Sequence, residues 1–257
     1  STLQATIPLK HRGLTRWGDR TAVVAEASVP DPCYWSTDLP FQYRAVGGVI
    51  GARTSSSVSE FQQPFGIRSL GTSGKRLTFN GRPWVPRIVH RVEVVEGPPA
   101  AAWRDAAAVM FVDRPEDELC RELSEAGVLL MTTVECDRAT VLGELSRLGR
   151  YPAVGIVVVK SPEVTARELR TAAQNTLLAR FSDRKFDASI GDEADVLLAM
   201  VLAEGSEWGL KWAAASELPV VVMRPLDRVV PLAEARAACD ALQRDLAGKH
   251  DVAGYVV

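Results

Sequence analysis

The chain has 257 residues, of which 24% are charged and 47% hydrophobic, and its formal net charge is −2 at pH 7. This balance is typical of a soluble globular protein of one large or two ordinary domains. The small net charge argues against a nucleic-acid-binding protein. No apolar run approaches the ~20 residues of a membrane-spanning helix, and residues 1–10 lack the pattern of a signal peptide. The compartment and the oligomeric state are not indicated.

Cysteine and histidine usage gives no indication of a metal centre or a cofactor. The four cysteines are not arranged in a CxxC pair, and the three histidines are scattered along the chain. A zinc site needs closely spaced groups of such residues. The sequence therefore predicts no metal and no cofactor, and it predicts thiols that lie in or near the core.

Residues 1–81 alternate short β-type runs with turn residues, and they predict an immunoglobulin-like β-sandwich. The predicted strands are Leu3–Leu9, Thr21–Val29, Phe41–Ile50 and Phe61–Leu70, with a polar connection at Gly51–Glu60. A sandwich of this kind usually has ~100 residues. We therefore expect this one to be trimmed, or to have strands outside this chain.

From residue 82 onward, apolar runs alternate with amphipathic ones. The runs that predict strands buried on both faces are Val85–Val92, Ala107–Val112, Val128–Val134, Ala153–Val159, Lys185–Ile190, Val196–Leu202, Pro219–Met223 and Val252–Val257. The predicted helices are Pro115–Ala126, Arg138–Leu148, Glu163–Arg180 and Pro231–Ala247. Eight such strands predict a compact (β/α)8 TIM-type barrel over residues 82–257. An open, doubly wound sheet is the alternative, because a barrel usually has ~250 residues.

Three motifs are distributed over these two predicted domains. They are Pro32–Tyr43 (PCYWSTDLPFQY), Phe65–Arg91 (FGIRSLGTSGKRLTFNGRPWVPRIVHR) and Gly149–Val159 (GRYPAVGIVVV). The three resemble, in order, the sandwich, joining and fourth-strand motifs of the family 2 glycoside hydrolases, which include β-galactosidases, β-glucuronidases and β-mannosidases. The resemblance implies a sandwich followed by a catalytic barrel, and it covers nearly the whole chain.

Some of these motif residues also have a direct structural meaning. Asn80-Gly81 lies between two β-type runs and predicts a tight hairpin turn. Trp35 and Tyr43 are expected to pack in or beside the core.

The two catalytic positions that the resemblance implies carry other residues. A retaining glycosidase needs two carboxyl groups ~5–5.5 Å apart, at the carboxyl ends of barrel strands. Counting from Pro152, the position of the acid/base falls on Pro162. Pro219–Pro225 (PVVVMRP) matches the end of the family's seventh strand, and there the position of the nucleophile falls on Arg224. An arginine is permanently cationic and cannot act as a nucleophile. Glu163 is a catalytic candidate only if the acid/base is shifted by one residue; alternatively, it belongs to the first turn of a helix.

Other strand-end residues also depart from the family pattern. His90 takes the place of an asparagine, and Met131, Thr132 and Thr133 replace a Trp-Asp-Glu sequence. Carboxylates near strand ends could supply an unconventional pair, and an inverting pair would lie roughly 6–10 Å apart. These candidates are Asp113, Glu135, Asp137, Glu204 and Glu207. Whether the chain is an enzyme is thus left open by the sequence.

The candidate ligand-binding residues are basic or aromatic side chains near predicted strand ends. They are His90, Arg91, Lys160 and Arg224, together with Trp208 and Trp212 in EWGLKW. The resemblance adds Arg87, because it implies that the matching family arginine points into the barrel near the substrate; alternatively, Arg87 forms an ion pair within the barrel or between the domains. The basic set predicts a pocket for an acidic sugar or a phosphate, and the tryptophans could stack on a sugar. Alternatively, the cations pair with Asp113 or Glu135, and the tryptophans pack a helix onto its neighbours.

The sequence therefore predicts a protein of the family 2 glycoside hydrolase type with both catalytic carboxylates replaced. A non-catalytic carbohydrate-binding or interaction module is the favoured function, with a carbohydrate, including an acidic one, as its partner. An active glycoside hydrolase that uses Glu163 or an unconventional carboxylate pair is the alternative. A structural or assembly role without a ligand is the third hypothesis.

Overall fold

The structure is a computed structural model that describes residues 10–17, 20–50, 57–90, 99–135, 137–160, 166–173, 175–182, 194–200 and 216–257. The chain divides into two units, Ser1–Cys33 and Tyr34–Val257.

In the first unit, the described residues include an antiparallel pair of strands. Strand β1 (Lys10–Trp17) pairs with β2 (Arg20–Glu26), and the register runs from Lys10 opposite Glu26 to Trp17 opposite Arg20. Strand β2 corresponds to the predicted strand Thr21–Val29, whereas the predicted strand Leu3–Leu9 lies outside the described residues.

The second unit begins with two small antiparallel sheets. Strand β3 (Tyr43–Ile50) pairs with β4 (Ser57–Phe65). Strands β5 (Leu70–Ser73), β6 (Arg76–Phe79) and β7 (Arg82–Trp84) form the other sheet. The predicted polar connection Gly51–Glu60 was too long, because β4 begins at Ser57. The assembly of such sheets into an immunoglobulin-like sandwich stays a prediction.

The turn between β6 and β7 confirms the predicted hairpin at Asn80-Gly81. Phe79 pairs with Arg82, so the turn contains two residues only. Asn80 has φ 49° and Gly81 has φ 76°. Two consecutive residues with positive φ are the requirement of a type I′ turn, for which Asn-Gly is the preferred sequence.

Eight parallel strands close into a barrel, which confirms the predicted TIM-type barrel and excludes the open sheet. The strands, in chain order, are β8 (Arg87–His90), β9 (Val109–Phe111), β10 (Leu130–Val134), β11 (Val154–Val159), β12 (Leu177–Ser182), β13 (Val196–Met200), β14 (Val220–Met223) and β15 (Gly254–Val256). Each strand pairs with the next in the chain, and β15 pairs with β8 to close the ring.

The prediction was wrong at the fifth strand. Strand β12 (Leu177–Ser182) occupies the end of the predicted helix Glu163–Arg180, and the helix α4 (Ala166–Ala172) ends well before it. The predicted strand Lys185–Ile190 lies outside the described residues. A turn in which Thr176 N donates to Ala173 O separates α4 from β12. Short apolar runs fit helix and strand equally well, and the nearby alanines and arginines favoured the helix.

The other described helices flank the barrel strands. They are α1 (Ala100–Asp105), α2 (Asp117–Ala126), α3 (Arg138–Leu148) and α5 (Leu232–Leu246). Gly127 ends α2 in the left-handed conformation, with φ 76°, and Asp137 caps α3 by accepting from Thr140 N at 2.9 Å. Helix α5 packs on the outside of β8 and β15. Among the helices that the structure describes, none is long and apolar enough to cross a membrane.

Continuous burial of the strands explains why they are largely apolar. Every residue of β10 and β11 is buried, on the inward and the outward face alike. Burying a Val, Leu or Ile side chain stabilises a fold by ~1.5–3 kcal/mol. Such strands therefore form the stable centre of the second unit, and the polar residues Thr132, Thr133 and Arg180 within the barrel strands are buried as well.

The segment before the barrel is fixed to the barrel by Trp35, which is fully buried. Its indole Nε1 donates to Ser124 O on α2 at 2.8 Å, and Asn80 Nδ2 donates to Trp35 O at 2.9 Å. The Ser124 hydroxyl in turn accepts from Ala153 N, just before β11, at 3.2 Å. We call the contacts made by Trp35, Gly66, Arg68, Asn80 and Gly127 the joint. It lies at the amino ends of β10 and β11.

Two glycines of the joint allow neighbouring segments to approach closely. A Cβ on Gly66 would lie 2.7 Å from Pro152 Cβ, and a Cβ on Gly127 would lie 2.6 Å from Thr37 O. Neither distance is compatible with an alanine at unchanged geometry. Arg68 adds hydrogen bonds to the carbonyl oxygens of Val154 and Asn175, the latter at 2.7 Å.

Candidate functional site

The candidate site lies at the carboxyl ends of the barrel strands, which we call the mouth. This is the end at which the active sites of TIM barrels are found. His90 ends β8, Asp113 follows β9, Glu135 follows β10, Lys160 follows β11, and Arg224 follows β14. All are polar because loops at strand ends are solvated, whereas the strands themselves are buried.

Asp113 connects the ends of the first three barrel strands. Its Oδ1 accepts a hydrogen bond from the Thr133 hydroxyl on β10. Its Oδ2 lies 3.9 Å from His90 Nε2, and the imidazole packs on the ring of Phe111 with a centroid distance of 4.5 Å. The Asp113 carboxylate is thereby oriented by a hydroxyl and an imidazole.

Glu135 and Lys160 form an ion pair between the ends of β10 and β11. Lys160 Nζ lies 3.4 Å from Glu135 Oε2, and the two side chains are 41% and 62% exposed. Exposed pairs of this kind contribute ~0–1 kcal/mol to stability. Either partner can therefore exchange the other for a ligand at little cost.

A cavity of about 300 Å³ opens beside this pair, between the end of β10 and helix α3. Its lining includes Arg114, Thr133, Glu135, Glu144 and Arg147. The size is at the lower end of the ~300–1,000 Å³ typical of ligand pockets. Its walls carry carboxylates and guanidinium groups in comparable number, which suits a polar ligand with several hydrogen-bonding groups.

Arg147 is held by acidic partners and stabilises that wall. It contacts Asp117 and donates to Glu144 Oε2 at 2.9 Å and to Pro115 O at 3.0 Å. The hydrogen bond from Arg147 is the main reason that the pKa of Asp117 is lowered. The same carboxylates raise the pKa of Arg147 above its ordinary value despite the opposing effect of burial, so this guanidinium stays charged.

The structure adds Arg180 to the site, a residue that the sequence reasoning missed. Arg180 is only 8% exposed on β12, and its guanidinium donates to Val159 O at 3.2 Å, one residue before Lys160. Two cations thus lie near the carboxyl end of β11, Lys160 just after it and Arg180 beside it on β12. Arg180 was overlooked because the sequence placed it at the end of a helix, away from any strand end.

Arg224 does not join the other cations. Its guanidinium lies 3.2 Å from Asp245 on α5, the helix on the outside of the barrel. The sequence left open a pair between Arg224 and Glu135 that would plug the mouth. The structure shows no such pair, since Glu135 pairs with Lys160 and Arg224 pairs with Asp245.

Arg87 lies at the opposite end of the barrel from the mouth. It is the first residue of β8, where it contacts Gln243 and lies 3.6 Å from Asp240, both on α5. The expectation that Arg87 contributes to a pocket at the mouth is therefore corrected. It was grouped there because the resemblance placed its family counterpart inside the barrel.

Several predicted site residues lie outside the part of the chain that the structure describes, namely Arg91, Pro162, Glu163, Glu204, Glu207, Trp208 and Trp212. Their roles stay predictions. Asp137 is described, but it serves as the cap of α3. Within the described ranges, no three His, Cys, Asp or Glu side chains are grouped as metal ligands.

The buried cysteines are not candidate nucleophiles. Burial raises the pKa of Cys120 to about 11 and that of Cys239 to about 12. The reactive form of a cysteine is the thiolate. Both residues are therefore neutral thiols at pH 7, as expected of core cysteines.

No family model and no curated protein matches the chain. The chain does match solved structures. A β-glucuronidase of Bacteroides uniformis is 12% identical with a TM-score of 0.65, over 92% of this chain and 38% of its own. A family 2 β-galacturonidase of Eisenbergiella tayi, bound to galacturonate, is 14% identical with a TM-score of 0.63, over 92% and 54%. A β-glucuronidase of Ruminococcus gnavus, in complex with a substituted uronic isofagomine, is 12% identical with a TM-score of 0.59, over 92% and 52%.

The chain has the fold of the family 2 glycoside hydrolases. This agrees with the resemblance of its three sequence motifs. At 12–14% identity the likeness establishes the fold alone, and the chain spans only about 38–54% of the length of these neighbours. The chemistry must therefore be argued from the residues at the mouth.

Proposed function

We propose that this chain is a non-catalytic protein of the family 2 glycoside hydrolase fold that binds a carbohydrate, and that it prefers an acidic sugar. In this proposal residues 1–81 form the sandwich domain and residues 82–257 form the barrel. The observation that carries the proposal is the residue at the position of the family nucleophile. It is Arg224, and its guanidinium is paired with Asp245 on the outer helix.

The loss of retaining chemistry follows from the nature of this residue. The glycosyl-enzyme intermediate forms by attack of a carboxylate on the anomeric carbon. A guanidinium has no lone pair available for attack and stays protonated at any physiological pH. Its neighbours Met223 and Pro225 carry no carboxylate either, so a shift of one residue in the match would not restore the nucleophile.

The preference for an acidic sugar is supported by two cations near the carboxyl end of β11, Lys160 and Arg180. Lys160 is exposed, and its carboxylate partner is itself exposed, so a sugar carboxylate can replace Glu135 at that ammonium. Arg180 lies beside the same strand end. Hydrogen bonds between ionised groups are stronger than neutral ones, and this difference would favour a uronate over its neutral counterpart. The E. tayi neighbour was solved with galacturonate bound.

An unconventional hydrolase is the second candidate, and the placement of Asp113 and Glu135 favours it. The two carboxylates follow the adjacent strands β9 and β10. Thr133, near the end of β10, donates a hydrogen bond to Asp113. An inverting mechanism needs one acid and one base on opposite sides of the sugar. However, the Glu135 carboxylate is already paired with Lys160 at 3.4 Å, so it is not free to face a sugar while that pair is formed.

Calorimetric titration tests the proposal. Glucuronate and galacturonate should bind more tightly than glucose and galactose by about tenfold or more, since a hydrogen bond to a charged group contributes ~1.5–3 kcal/mol. Lys160→Ala should remove most of this preference. Lys249→Ala, which removes an exposed lysine just after α5, is the matched control and should leave it unchanged. Equal affinity for charged and neutral sugars, or no binding of any of them, would contradict the proposal.

A further inference from the structure

A second cavity, of about 230 Å³, lies at the amino ends of β8 and β15, on the side of the barrel opposite to the mouth. We call it the amino-end pocket. It is formed where the hairpin β6–β7 meets the segment between α5 and β15. Its lining includes Trp84, Val85, Gln243, His250, Asp251 and Tyr255. None of these residues takes part in the site at the mouth.

The polar groups of this pocket are held in place by the fold. Arg87 donates to Gln243 Oε1, and the Nε2 of the same amide group is a hydrogen-bond donor. His250 is positioned by the hydrogen bond from its backbone N to Leu246 O at 2.9 Å, at the end of α5. The pocket therefore offers an amide, an imidazole and a carboxylate on fixed backbone.

Tyr255 provides a further neutral donor. Its side chain is 2% exposed and borders the cavity. Burial raises the pKa of the Tyr255 hydroxyl, although the charge of Arg87 opposes this and that of Asp251 adds to it. The hydroxyl is therefore protonated at neutral pH and can both donate and accept a hydrogen bond.

An apolar wall faces these polar groups. Trp84 is half-buried, with its ring 5.8 Å from that of Phe79, and Val85 remains 38% exposed. Pro83 and Val252 continue the same lining. Apolar residues on one side and dispersed donors and acceptors on the other are the pattern expected for a ligand with an apolar face and several hydroxyl groups.

The size and charge of the pocket restrict the ligand class further. About 230 Å³ is below the ~300–1,000 Å³ of pockets for drug-sized ligands, so one small ring fills it. The nearby charges are of both signs, with Arg76 and Asp251 in the lining and Arg87 close to Asp240. This balance does not favour an anion or a cation over a neutral molecule.

We propose that the amino-end pocket binds a single neutral pyranose ring. The ring packs against Trp84 and Val85, and its hydroxyl groups exchange hydrogen bonds with Gln243, His250 and Asp251. Arg87 acts as a positioning residue, because it orients Gln243. The proposal does not depend on the site at the mouth: the two cavities lie at opposite ends of the barrel, and their linings share no residue.

Two variants separate this site from the rest of the chain. Ala247 lies at the end of α5, is exposed and lines the pocket, so Ala247→Trp fills the cavity without entering the core. Ala237 is an exposed alanine within the same helix that does not line the pocket, so Ala237→Trp is the matched control. Tyr255→Phe removes one hydroxyl at nearly constant volume.

The experiment is NMR of the ¹⁵N-labelled protein with a panel of neutral probes, the methyl β-glycosides of glucose, galactose, mannose and N-acetylglucosamine. At least one probe should shift the Trp84 indole and the amides of residues 250–253. These shifts should vanish in Ala247→Trp and persist in Ala237→Trp and in Lys160→Ala. In Tyr255→Phe, the dissociation constant obtained from the shifts should rise at least threefold. If no probe shifts these signals in the wild-type protein, or if the shifts persist in Ala247→Trp, the proposal is overturned. Failure of uronate binding at the mouth would leave this result unaffected.

Discussion

The joint and the mouth are built from different kinds of contact. At the joint, Trp35 is fully buried, its indole is hydrogen-bonded to Ser124 O, and Gly127 leaves no room for a Cβ. At the mouth, Lys160 and Glu135 form an exposed ion pair. The motifs that resemble the family contribute most residues of the joint, whereas in our proposal the family's catalytic positions carry other residues.

If the proposal holds, this difference teaches that the fold and the chemistry of the family are separable. The joint is centred on the fully buried Trp35, and truncation of a buried tryptophan typically costs ~3–5 kcal/mol. Residues at strand ends are solvated, so their replacement has little effect on folding. A fold of the glycoside hydrolase type therefore does not by itself imply glycoside hydrolysis.

Removal of the tryptophan at the joint should have the largest effect on stability. Trp35→Ala leaves a large cavity and an unpaired Ser124 carbonyl, and we expect a loss of ~3–5 kcal/mol in the free energy of unfolding. Chemical denaturation measures this directly. The control is Tyr34→Ala, the neighbouring aromatic residue, which is 48% exposed; we expect a loss below ~1 kcal/mol. Equal losses for the two variants would show that the joint is not the anchor.

An added methyl group at the joint should have the next largest effect. Gly127→Ala combines left-handed strain of ~1 kcal/mol with a contact at 2.6 Å to the Thr37 carbonyl oxygen, and overpacking costs ~1–3 kcal/mol. We expect a total loss of roughly 2–4 kcal/mol by denaturation. Gly74 also has positive φ, at 57°, but no atom lies within 4 Å of the added Cβ. Gly74→Ala should therefore show the strain alone, and a similar loss at both sites would contradict the close approach.

The side chain of the hairpin turn should have an intermediate effect. Asn80 accepts from Ser69 N and donates to Trp35 O, both at 2.9 Å. Asn80→Gly tolerates the positive φ but removes both hydrogen bonds, so we expect a loss of ~1–3 kcal/mol. Asn80→Ala should lose about 1 kcal/mol more, because alanine is strained at this φ. If Asn80→Gly is as stable as the wild-type protein, the turn does not support Trp35.

The ion pair at the mouth should have the smallest effect. A double-mutant cycle of Lys160→Ala and Glu135→Ala is expected to give a coupling of ~0.2–1 kcal/mol in the free energy of unfolding. The coupling should decrease further at 1 M salt, where screening acts within ~3 Å. A coupling above ~2 kcal/mol would mean that the mouth is as firmly built as the joint, and the contrast between them would be lost.

The sequence alone predicted most of the fold, because burial on both faces makes a barrel strand apolar throughout. Seven of the eight strands overlap their predicted ranges, and the helices Pro115–Ala126 and Arg138–Leu148 correspond closely to α2 and α3. Strand β12 was missed since its run LLARFS contains an arginine and follows a helical pattern without an obvious stop. The error also concealed Arg180 as a neighbour of Lys160.

The site was harder to predict, because side-chain partners depend on geometry that no spacing encodes. Lys160 and Glu135 are 25 residues apart in the chain and meet only because β10 and β11 are adjacent in the barrel. Arg224 and Arg87 were both grouped with the mouth, yet both contact α5 on the outside of the barrel. A strand residue can face the lumen or the outer helices, and only the register of the strands decides between the two.

The most direct test of the central claim is a hydrolysis assay with a panel of nitrophenyl glycosides of both anomers, including glucuronides and galacturonides. We predict that the folded wild-type protein shows no turnover above the buffer rate on any of them, and that Glu163→Ala, Asp113→Ala and Glu135→Ala are indistinguishable from it. Turnover by the wild-type protein that is lost in one of these three variants would identify a working carboxylate and contradict the account of a non-catalytic barrel.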